Sequence, residues 1–466
     1  MIPLTLAEVA AAADGPLLDA PADHIVTGVV IDSRNVQQGR LFAALRGDNV
    51  DGALYTGKAI SQGAAAVLVP AQHPQQEQWS GMARIPVPDV QVALGQVAKA
   101  VRARSRAQVV AITGSNGKTT TKDMLYAVLA PQRTAIANEK SFNNELGVPL
   151  TLCRLEENTE IAVVEMGTAG EGQIAELCDI AAPDVAVVTM IGRAHLDQFG
   201  SQEAIAKEKG TLPAAVPATG LTVLNADDPR VLAMRANSQA QCITFSRNAS
   251  AGADVWADGV VLDEEGKPRF QLHTVNGSSD IRLNVIGEHM VVNALAAAAT
   301  ATGLGMTAEQ IAEGLAAFRP SSGRMKTHQR SDGILVIDDS YNASPDSAAA
   351  ALRALAAARK LDGRAIAVLG TVGGMGDQSA LAHRELGHLA AAIGIDLLIS
   401  VGQEARPALT AALDSGLPWG AAVAGPDEAV SVLTSLLRAG DTVLVKASHS
   451  AALDRSVAAL INEVAA

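Results

Sequence analysis

The chain has few cysteines, few aromatic residues and no excess of positive charge, and each shortage narrows the class of protein. Its three cysteines, Cys153, Cys178 and Cys242, show neither metal-binding nor redox spacing, which suits a reducing cytosol. The net charge of −13 argues against nucleic acid or an anionic membrane as the main partner, although local loops can still bind an anionic small substrate. Uninterrupted apolar runs of about 18 residues are missing, and the N-terminus has no basic region. We therefore expect a cytoplasmic protein with no stable membrane insertion.

The most informative motif is a glycine-bounded turn near the middle of the chain. The β-branched run Val109–Thr113 is followed by Gly114-Ser115-Asn116-Gly117-Lys118-Thr119-Thr120 and then by a helix-like segment. In this context backbone N–H groups and a helix N-terminus surround a phosphate, the lysine reaches the β- and γ-phosphates, and the threonine hydroxyl can ligate Mg²⁺. The longer form of the pattern would need glycine where Ile112 stands, and the alternative is a glycine-rich turn before a capped helix. We predict a nucleotide-binding phosphate loop.

Length and element pattern predict three domains of the α/β class. The 466 residues exceed one ordinary domain, and 48% hydrophobic residues suffice for buried cores although aromatics make up only 3%. Strand-like and helical runs alternate, and a breaker-rich stretch from Phe318 to Arg324 separates two series of them. The predicted units are a small α/β N-terminal domain at 1–84, a central P-loop parallel-sheet ATPase domain at 85–318 and a C-terminal Rossmann-like α/β domain at 319–466.

Two polar residues follow apolar strands beyond the phosphate loop. Glu165 ends one strand-like run, where a carboxylate can hold Mg²⁺ opposite the loop, and the alternative is a cap on the following helix. His195 lies just beyond another run, which makes it a candidate ligand for a second Mg²⁺, although an isolated histidine is usually structural or exposed. Both positions fit a parallel sheet with its site at the carboxyl ends of the strands.

Polar stretches elsewhere are candidates for substrate contacts. A loop with many amides carries Asn138, Asn143 and Asn144, though asparagine also favours turns for its own reasons. Arg34 lies near a strand end, where it could hold a phosphate-bearing substrate, and the alternative is an ordinary surface charge. The glycine-rich stretch 370–376 is predicted to be a loop at the cleft between domains.

Taken together, these stretches resemble the Mur ligase family of ATP-dependent amide ligases across essentially the whole chain. The most specific elements are residues 113–120, Glu165-Met166-Gly167, Ala194-His195-Leu196 and Asp339-Ser340-Tyr341-Asn342-Ala343-Ser344-Pro345. The Tyr-Asn-Ala part of the last element resembles the branch that adds D-alanyl-D-alanine. The ligases that add the third residue carry an Asp-Asn-Pro-Arg box, which this chain lacks. Asp32-Ser33-Arg34 also resembles the UDP-binding domain of this branch.

The resemblance implies a set of ligands and site residues. It implies ATP at Gly114, Ser115, Asn116, Gly117, Lys118, Thr119 and Thr120, with further nucleotide contacts from Asn293, Arg324 and Asp339. It implies Mg²⁺ at Thr119, Glu165, His195 and a carbamylated lysine, predicted to be Lys209 with Lys207 as the alternative. The catalytic residues would be Lys118, His195 and Lys209, and the substrate contacts Ser33, Arg34, Asn138, Asn143, Asn144, Tyr341 and Asn342.

Two loops of the last domain depart from the family pattern. Gly370 is followed by Thr371-Val372-Gly373-Gly374, where the family usually has an Asp-Met pair and an acidic residue. Lys446-Ala447-Ser448-His449 stands where the family usually has Lys-Gly-Ser-Arg. The resemblance implies that this domain receives the incoming dipeptide, so both departures bear on the amine substrate.

The function implied by the resemblance is an ADP-forming acid–D-amino-acid ligase of peptidoglycan precursor synthesis, and hence of cell wall biogenesis, cell shape and cell division. The expected substrates are ATP, UDP-N-acetylmuramoyl-tripeptide and D-alanyl-D-alanine, joined through an acyl phosphate by a cytoplasmic enzyme that is expected to be a monomer. One alternative is another Mur-type or folylpolyglutamate-type ligase with a different amine substrate. The other is a P-loop nucleotide switch, against which Glu165, His195 and the extra C-terminal domain argue.

Overall fold

The computed structural model describes residues 1–47, 50–139 and 141–462, which form three α/β units in chain order. The units are built on a four-stranded, a nine-stranded and a six-stranded sheet, and a two-stranded ribbon accompanies the first. This arrangement confirms the predicted class of three successive α/β units with parallel sheets.

The first unit is a small parallel sheet with helices on its faces. Its elements are β1 Leu4–Thr5, α1 Leu6–Ala12, β2 Ile25–Val26, β3 Gly28–Val30, β4 Arg40–Ala43, α2 Thr56–Ser61, β5 Ala66–Pro70, β6 Arg84–Val87 and α3 Val90–Arg104. Strands β3 to β6 pair in parallel in that order, and β1 pairs antiparallel with β2. The predicted boundary at residue 84 falls at the first residue of β6, and the division into domains stays a prediction.

The second unit contains the largest sheet. Its strands are β7 Gln108–Thr113, β8 Ala135–Ala137, β9 Ile161–Glu165, β10 Val185–Val188, β11 Leu221–Asn225, β12 Gln241–Ser246, β13 Val255–Leu262, β14 Pro268–Thr274 and β15 Gly277–Arg282. Its helices are α4 Lys118–Leu129, α5 Gly147–Leu152, α6 Gln173–Ala181, α7 Leu196–Phe199, α8 Gln202–Ala215, α9 Pro229–Ala233, α10 Met290–Gly303 and α11 Ala308–Ala317. The parallel part runs β8-β9-β7-β10-β11-β12-β13, and β14 and β15 extend it in antiparallel fashion.

The third unit is a second open parallel sheet. Its elements are β16 Lys326–Gln329, β17 Leu335–Asp339, α12 Pro345–Ala357, β18 Ala365–Leu369, α13 Ser379–Ala392, β19 Leu397–Val401, α14 Arg406–Asp414, β20 Trp419–Val423, α15 Pro426–Leu436, β21 Thr442–Lys446 and α16 Asp454–Asn462. The strand order is β16-β17-β21-β18-β19-β20, with only β16 antiparallel to its neighbour. The carboxyl ends of β17 and β21 lie next to each other, which brings Asp339 opposite Lys446.

Strand β7 places the phosphate loop where the sheet changes direction. It lies between β9 and β10, so consecutive strands of the chain extend the sheet on opposite sides of it. Five of its six residues, Val109 to Thr113, are buried, which explains the continuous apolar run. Ligands of open α/β sheets bind at such a reversal, outside the carboxyl ends of the strands.

Helices cover both faces of the large sheet and also join the units. Helices α4, α10 and α11 pack together on one face, while α3, α5, α6 and α8 pack on the other. One apolar cluster runs from Leu125 and Leu295 in the second unit to Leu352 and Leu355 in the third. The second and third units therefore share a core. None of the described helices is both long and apolar enough to cross a bilayer.

Candidate active site

A cavity of about 900 Å³ lies between the second and third units. Its lining includes most of the predicted site residues, namely Ser115, Asn116, Gly117, Lys118, Thr119, Thr120, Asn143, Asn144, Glu165, His195, Asn293, Arg324, Asp339, Tyr341 and Asn342. Five predicted residues do not line it: Ser33, Arg34, Gly114, Asn138 and Lys209. The structure therefore brings together residues that are more than 200 positions apart in the chain.

The loop between β7 and α4 depends on two glycines. Gly114 and Gly117 have φ values of 144° and 84°, which non-glycine residues rarely adopt. A side chain at Gly114 would overlap the Thr189 hydroxyl, and one at Gly117 would overlap the Asn293 amide. Gly117 is the N-cap of α4, so the first turn of that helix points its free N–H groups into the cavity region. This geometry fits the predicted phosphate-binding loop.

Lys118 is the first residue of α4 and turns back over the loop. Its Nζ donates a hydrogen bond to the Gly114 carbonyl at 2.8 Å. Burial lowers the pKa of Lys118, and the nearby Glu165 carboxylate opposes that effect. The lysine is thus held beside the loop, where a bound anion would favour its charged form and raise its pKa.

The next hydroxyl forms a small cluster with the third unit. The Thr119 hydroxyl lies 3.1 Å from the Ser141 hydroxyl, and the Arg324 guanidinium donates to both, at 3.3 and 3.1 Å. The same guanidinium stacks 4.2 Å above the centre of the Tyr341 ring, and its Nε is buried without a partner among the described residues. Buried donors without a partner are rare, so this group is suited to an anionic ligand.

Glu165 ends β9 and is almost fully buried, at 1% exposure. Its Oε1 accepts a hydrogen bond from the Asn143 amide at 2.6 Å, and its backbone N–H donates to Asn138 Oδ1 at 2.6 Å. Its Oε2 is buried and has no hydrogen-bond partner among the described residues. A buried carboxylate oxygen without a donor fits a cation.

His195 occupies a left-handed backbone conformation, with φ of 59°. The segment before it is fixed by the Ile191 N–H, which donates to Asp228 Oδ2 at 2.7 Å. Burial lowers the pKa of His195, and the charges of Lys118 and Lys209 lower it further. The imidazole is therefore neutral at neutral pH and keeps a nitrogen lone pair for a ligand.

Lys209 lies within α8 and is 3% exposed, whereas Lys207 on the same helix is exposed. Burial lowers the pKa of Lys209 well below its ordinary value, and the Lys118 charge adds to that effect. No described residue forms a hydrogen bond or ion pair with its ammonium group. The adjacent Glu208 caps α6 instead, accepting from the N–H groups of Gly172 and Ile174, both at 2.8 Å. Of the two candidate lysines, Lys209 is the one that faces the interior.

The asparagine side chains of the amide-rich loop form hydrogen bonds that stabilise the loop and its contact with β9. Asn138 is 3% exposed, and its side chain bonds the Glu165 N–H and the Phe142 carbonyl, at 2.6 and 2.5 Å. Both of its side-chain polar atoms are therefore already hydrogen-bonded within the protein, and its predicted contact with the substrate stays a prediction. Asn144 lines the cavity, and its Oδ1 accepts from the Gly147 N–H at 3.1 Å.

The third unit supplies a wall of buried charged groups and two neighbouring rings. Lys446 pairs with Asp339 at 2.7 Å and donates to the Asn342 carbonyl at 2.7 Å. Burial raises the pKa of Asp339, and the Lys446 charge opposes that effect. The Tyr341 ring lies 5.9 Å from the His449 ring. His449, which stands where the family usually has arginine, therefore lines the cavity.

Direct contacts hold this wall against the phosphate loop. Ser344 donates to Asn116 Oδ1 at 2.8 Å. The Arg193 backbone N–H donates to Asp346 at 2.9 Å, and its guanidinium donates to Glu385 at 2.7 Å. The glycine-rich stretch 370–376 does lie at the cleft, as predicted, and its Gly374 carbonyl accepts from the Asp197 N–H at 3.2 Å. The second and third units are thus joined at the edge of the cavity.

The predicted residues of the first unit lie elsewhere. Ser33 is buried, and the Arg34 side chain is 79% exposed and paired with Asp32 at 2.6 Å. Neither lines the cavity between the second and third units. A substrate that reaches both places must be long, and both interpretations of Arg34 stay open.

Sequence reasoning missed several residues that shape the loop. The Thr189 hydroxyl donates to the Asn116 carbonyl at 2.6 Å, and Asn225 donates to the Thr189 carbonyl at 2.8 Å. Asp228 fixes the segment before His195, and Ser141 joins the Thr119 cluster. Thr189 and Asn225 lie at the ends of β10 and β11, so the strand-end pattern that identified Glu165 would have found them as well.

A divalent cation fits this site only together with an anionic ligand. Among the described residues, no group of three or more His, Cys, Asp or Glu side chains could hold a metal ion. The Glu165 carboxylate with its unpartnered oxygen and the Thr119 hydroxyl both line the cavity. Mg²⁺ is usually bound by one or two carboxylates together with substrate phosphates and water. The donors present match that pattern.

Comparisons with known proteins agree with the geometry over the whole chain. The Mur ligase family catalytic domain matches residues 25–102, the Mur ligase middle domain 112–301 and the Mur ligase glutamate ligase domain 323–449. The UDP-N-acetylmuramoyl-tripeptide–D-alanyl-D-alanine ligase of Mycobacterium tuberculosis is 40% identical across 99% of this chain and 98% of its own.

Solved structures are similar over the same length. The crystal structure of MurF from Acinetobacter baumannii has a TM-score of 0.87 at 31% identity and covers 99% of each chain. The MurF ligase from Thermotoga maritima in complex with ADP has a TM-score of 0.80 at 26% identity, covering 94% of this chain and 98% of its own. The likeness therefore includes all three units.

Proposed function

Because this chain belongs to the Mur ligase family, we propose that it joins D-alanyl-D-alanine to UDP-N-acetylmuramoyl-tripeptide in an ATP-dependent reaction of peptidoglycan precursor synthesis. The observation that carries the proposal is the cavity itself. A phosphate loop with its lysine, an unpartnered carboxylate oxygen and a neutral histidine line one side, and a second α/β unit closes the other. A nucleotide switch has no need of that second wall.

In the first step, an oxygen of the tripeptide's terminal carboxylate attacks the γ-phosphorus of ATP. The bond between the γ-phosphorus and the bridging oxygen breaks, which gives an acyl phosphate and ADP. Lys118 and the N–H groups at the start of α4 stabilise the charge on the transferred group. Arg324, which already contacts Thr119, is placed to add a second positive charge on the phosphate side.

In the second step, the amine of the dipeptide attacks the acyl carbon and inorganic phosphate leaves. The amine loses a proton, and a new amide bond replaces the acyl–phosphate bond. The third unit holds the dipeptide, with Tyr341 and Asn342 in the wall that faces the phosphate loop. Contacts such as Ser344 with Asn116 keep that wall closed, so water is kept from the reactive acyl phosphate.

Two Mg²⁺ ions complete the proposed site. Thr119 and Glu165 would hold one, and His195 with a carbamylated Lys209 would hold the other. Burial and the Lys118 charge lower the pKa of Lys209 well below its ordinary value, which favours the neutral amine, the form that adds to carbon dioxide with loss of a proton. When bound, the metal offsets the negative charge of the phosphates during transfer.

The remaining assignments follow from position. Asn293 packs against the loop glycine Gly117, and both Asn293 and Asp339 line the cavity, where we assign them to the nucleotide. The first unit would bind the UDP part of the precursor, with Ser33 and Arg34 as its contacts. We place the reaction in the cytoplasm, where ATP and UDP-linked precursors are available, and we expect the enzyme to act as a monomer.

One assay tests the proposal directly. The full chain is incubated with ATP, Mg²⁺, UDP-N-acetylmuramoyl-tripeptide and D-alanyl-D-alanine, and the product is identified by mass spectrometry. We expect the joined pentapeptide and one phosphate per product, with no stimulation by glutamate or a diamino acid. A product with glutamate instead would favour a folylpolyglutamate-type ligase. Tight nucleotide binding without any product would favour a nucleotide switch.

A further inference from the structure

Glu165 offers one oxygen to the cavity because another side chain holds the other oxygen. Asn143 Nδ2 lies 2.6 Å from Glu165 Oε1, while Oε2 is buried and has no partner among the described residues. The carboxylate is 1% exposed, so water cannot freely replace the contact with Asn143. The hydrogen bond to one oxygen therefore restricts rotation of the carboxylate and so the direction in which the second oxygen points.

The orientation of the Asn143 amide is itself constrained. Its backbone carbonyl accepts from the Gly167 N–H at 2.8 Å, which anchors the residue beside the end of β9. A side chain at Gly167 would lie 2.7 Å from Asn143 Oδ1 and 2.8 Å from Cγ, so the amide packs directly against that glycine. The opposite amide orientation would set oxygen against a carboxylate, which is repulsive. The NH₂ group must face Glu165.

The neighbouring asparagine makes a different set of contacts. Asn144 also lines the cavity, but its Oδ1 accepts from the N–H groups of Leu146 and Gly147, at 3.3 and 3.1 Å. It has no hydrogen bond to Glu165. The two residues therefore form a matched pair with the same side chain in the same loop, and only Asn143 touches the carboxylate.

We propose that Asn143 is the positioning residue for Glu165, holding one carboxylate oxygen so that the other is presented to the divalent cation that accompanies the nucleotide. This inference rests on the proposed function, because it presumes that Glu165 is a metal ligand. Groups that orient a metal ligand commonly change metal affinity by about 10- to 100-fold when they are removed. Asn143 would thus act on the metal without touching it.

The test measures metal binding on the full chain, with Mn²⁺ as the probe and a nonhydrolysable ATP analogue present. Free Mn²⁺ is counted by electron paramagnetic resonance. We expect Asn143→Leu, which keeps the size and loses the donor, to weaken Mn²⁺ binding by about tenfold or more. Asn144→Leu should keep the wild-type Mn²⁺ affinity. In the ligase assay, Asn143→Leu should require more Mg²⁺ for half-maximal rate and regain much of its kcat when Mg²⁺ is saturating.

A second variant keeps the test decisive if Asn143→Leu does not fold. Gly167→Ala keeps the side chains of Asn143 and Glu165, but its added Cβ would lie within 3 Å of the Asn143 amide and force that amide to shift, so it should also weaken Mn²⁺ binding. Unchanged Mn²⁺ affinity in a folded Asn143→Leu or Gly167→Ala protein would overturn the inference alone. Equal losses in Asn143→Leu and Asn144→Leu would also overturn it. Failure of the wild-type protein to bind Mn²⁺ or to form product would instead count against the proposed function.

Discussion

The two walls of the cavity are built in different ways. The loop wall, which comprises the lining residues from Ser115 to Asn293, is held by hydrogen bonds within the second unit, such as those from Thr189 to Asn116 and from Asn225 to Thr189. The third-unit wall, which comprises the lining residues from Arg324 to His449, meets it through contacts that cross between units. The first wall is fixed by its own sheet, while the second depends on how the units dock.

This difference separates the two proposed chemical steps. In the proposed reaction the loop wall binds the phosphoryl group, and its geometry follows from adjacent strand ends of one parallel sheet. The proposed reaction assigns the amine to the third-unit wall, whose distance from the loop is set by the shared apolar core and a few polar contacts. Damage to the first wall should therefore stop the reaction. Damage to the second should lower coupling between the two steps.

Replacing Lys118 breaks the loop wall alone and should have the largest effect. Lys118→Ala removes the cation that Gly114 holds over the loop, so we expect a loss of about 10³-fold or more in kcat for phosphate release and product formation. Lys99→Ala is a suitable control, because Lys99 is a surface lysine paired with Asp179. Near-normal turnover by Lys118→Ala would refute the assignment of the loop.

Lowering the pH should destabilise the folded protein through His289, a residue of the loop wall whose pKa is affected by its burial and by the charge of Lys446 in the third-unit wall. This residue lines the cavity, and burial together with the charges of Lys446 and Arg247 lowers its pKa to about 4. Between pH 6.5 and that value the unfolded chain binds a proton at this position and the folded chain does not, so folding stability falls as pH falls. The loss is up to about 3 kcal/mol over this window.

Thermal unfolding measured from pH 7 down to pH 4.5 checks this prediction. The midpoint of wild-type protein should fall more steeply than that of His289→Asn, which cannot take up the proton. If the midpoints of the two proteins fell equally with pH, protonation of His289 would not be the cause of the loss of stability.

Reversing the charge of Arg193 tests the third-unit wall and should have the smallest effect. Arg193→Glu places a carboxylate against Asp346 and Glu385, which repels the third unit from the loop wall. We expect KM for the dipeptide to rise about tenfold, equivalent to about 1.4 kcal/mol, with more ATP hydrolysed per product. Nucleotide affinity should change little, because the phosphate loop is held within its own unit.

The paired reversal supplies the control for Arg193. Combining Arg193→Glu with Glu385→Arg restores one of the two attractions and should recover part of the loss, as a double-mutant cycle measures. If the single variant lowered nucleotide affinity and left KM for the dipeptide unchanged, the two walls would not divide the chemistry as described.

Local patterns in the sequence predicted much of the loop wall. The strand, the two glycines, Lys118 and Glu165 were recoverable because each follows from a short motif or from the end of one apolar strand. The contact of Asn138 with the Glu165 N–H could not be predicted, because the two residues are 27 positions apart and meet only in the fold. The contact of Asn143 with Glu165 was missed for the same reason.

The other wall was harder to foresee for a related physical reason. Contacts of Arg193 with Asp346 and Glu385 join residues that are 153 and 192 positions apart, and no periodicity in the chain encodes such pairs. Features that lie within one strand, helix or loop could be predicted from the sequence, whereas side-chain contacts between units could not.

The central claim is that a carboxylate takes the γ-phosphoryl group from a nucleotide held in the loop between β7 and α4. The most direct measurement follows ¹⁸O from the terminal carboxylate of UDP-N-acetylmuramoyl-tripeptide during a reaction with ATP and D-alanyl-D-alanine. Our account predicts that each inorganic phosphate released carries one ¹⁸O atom from that carboxylate, as seen by mass spectrometry or ³¹P NMR. Product formed with unlabelled phosphate would contradict it.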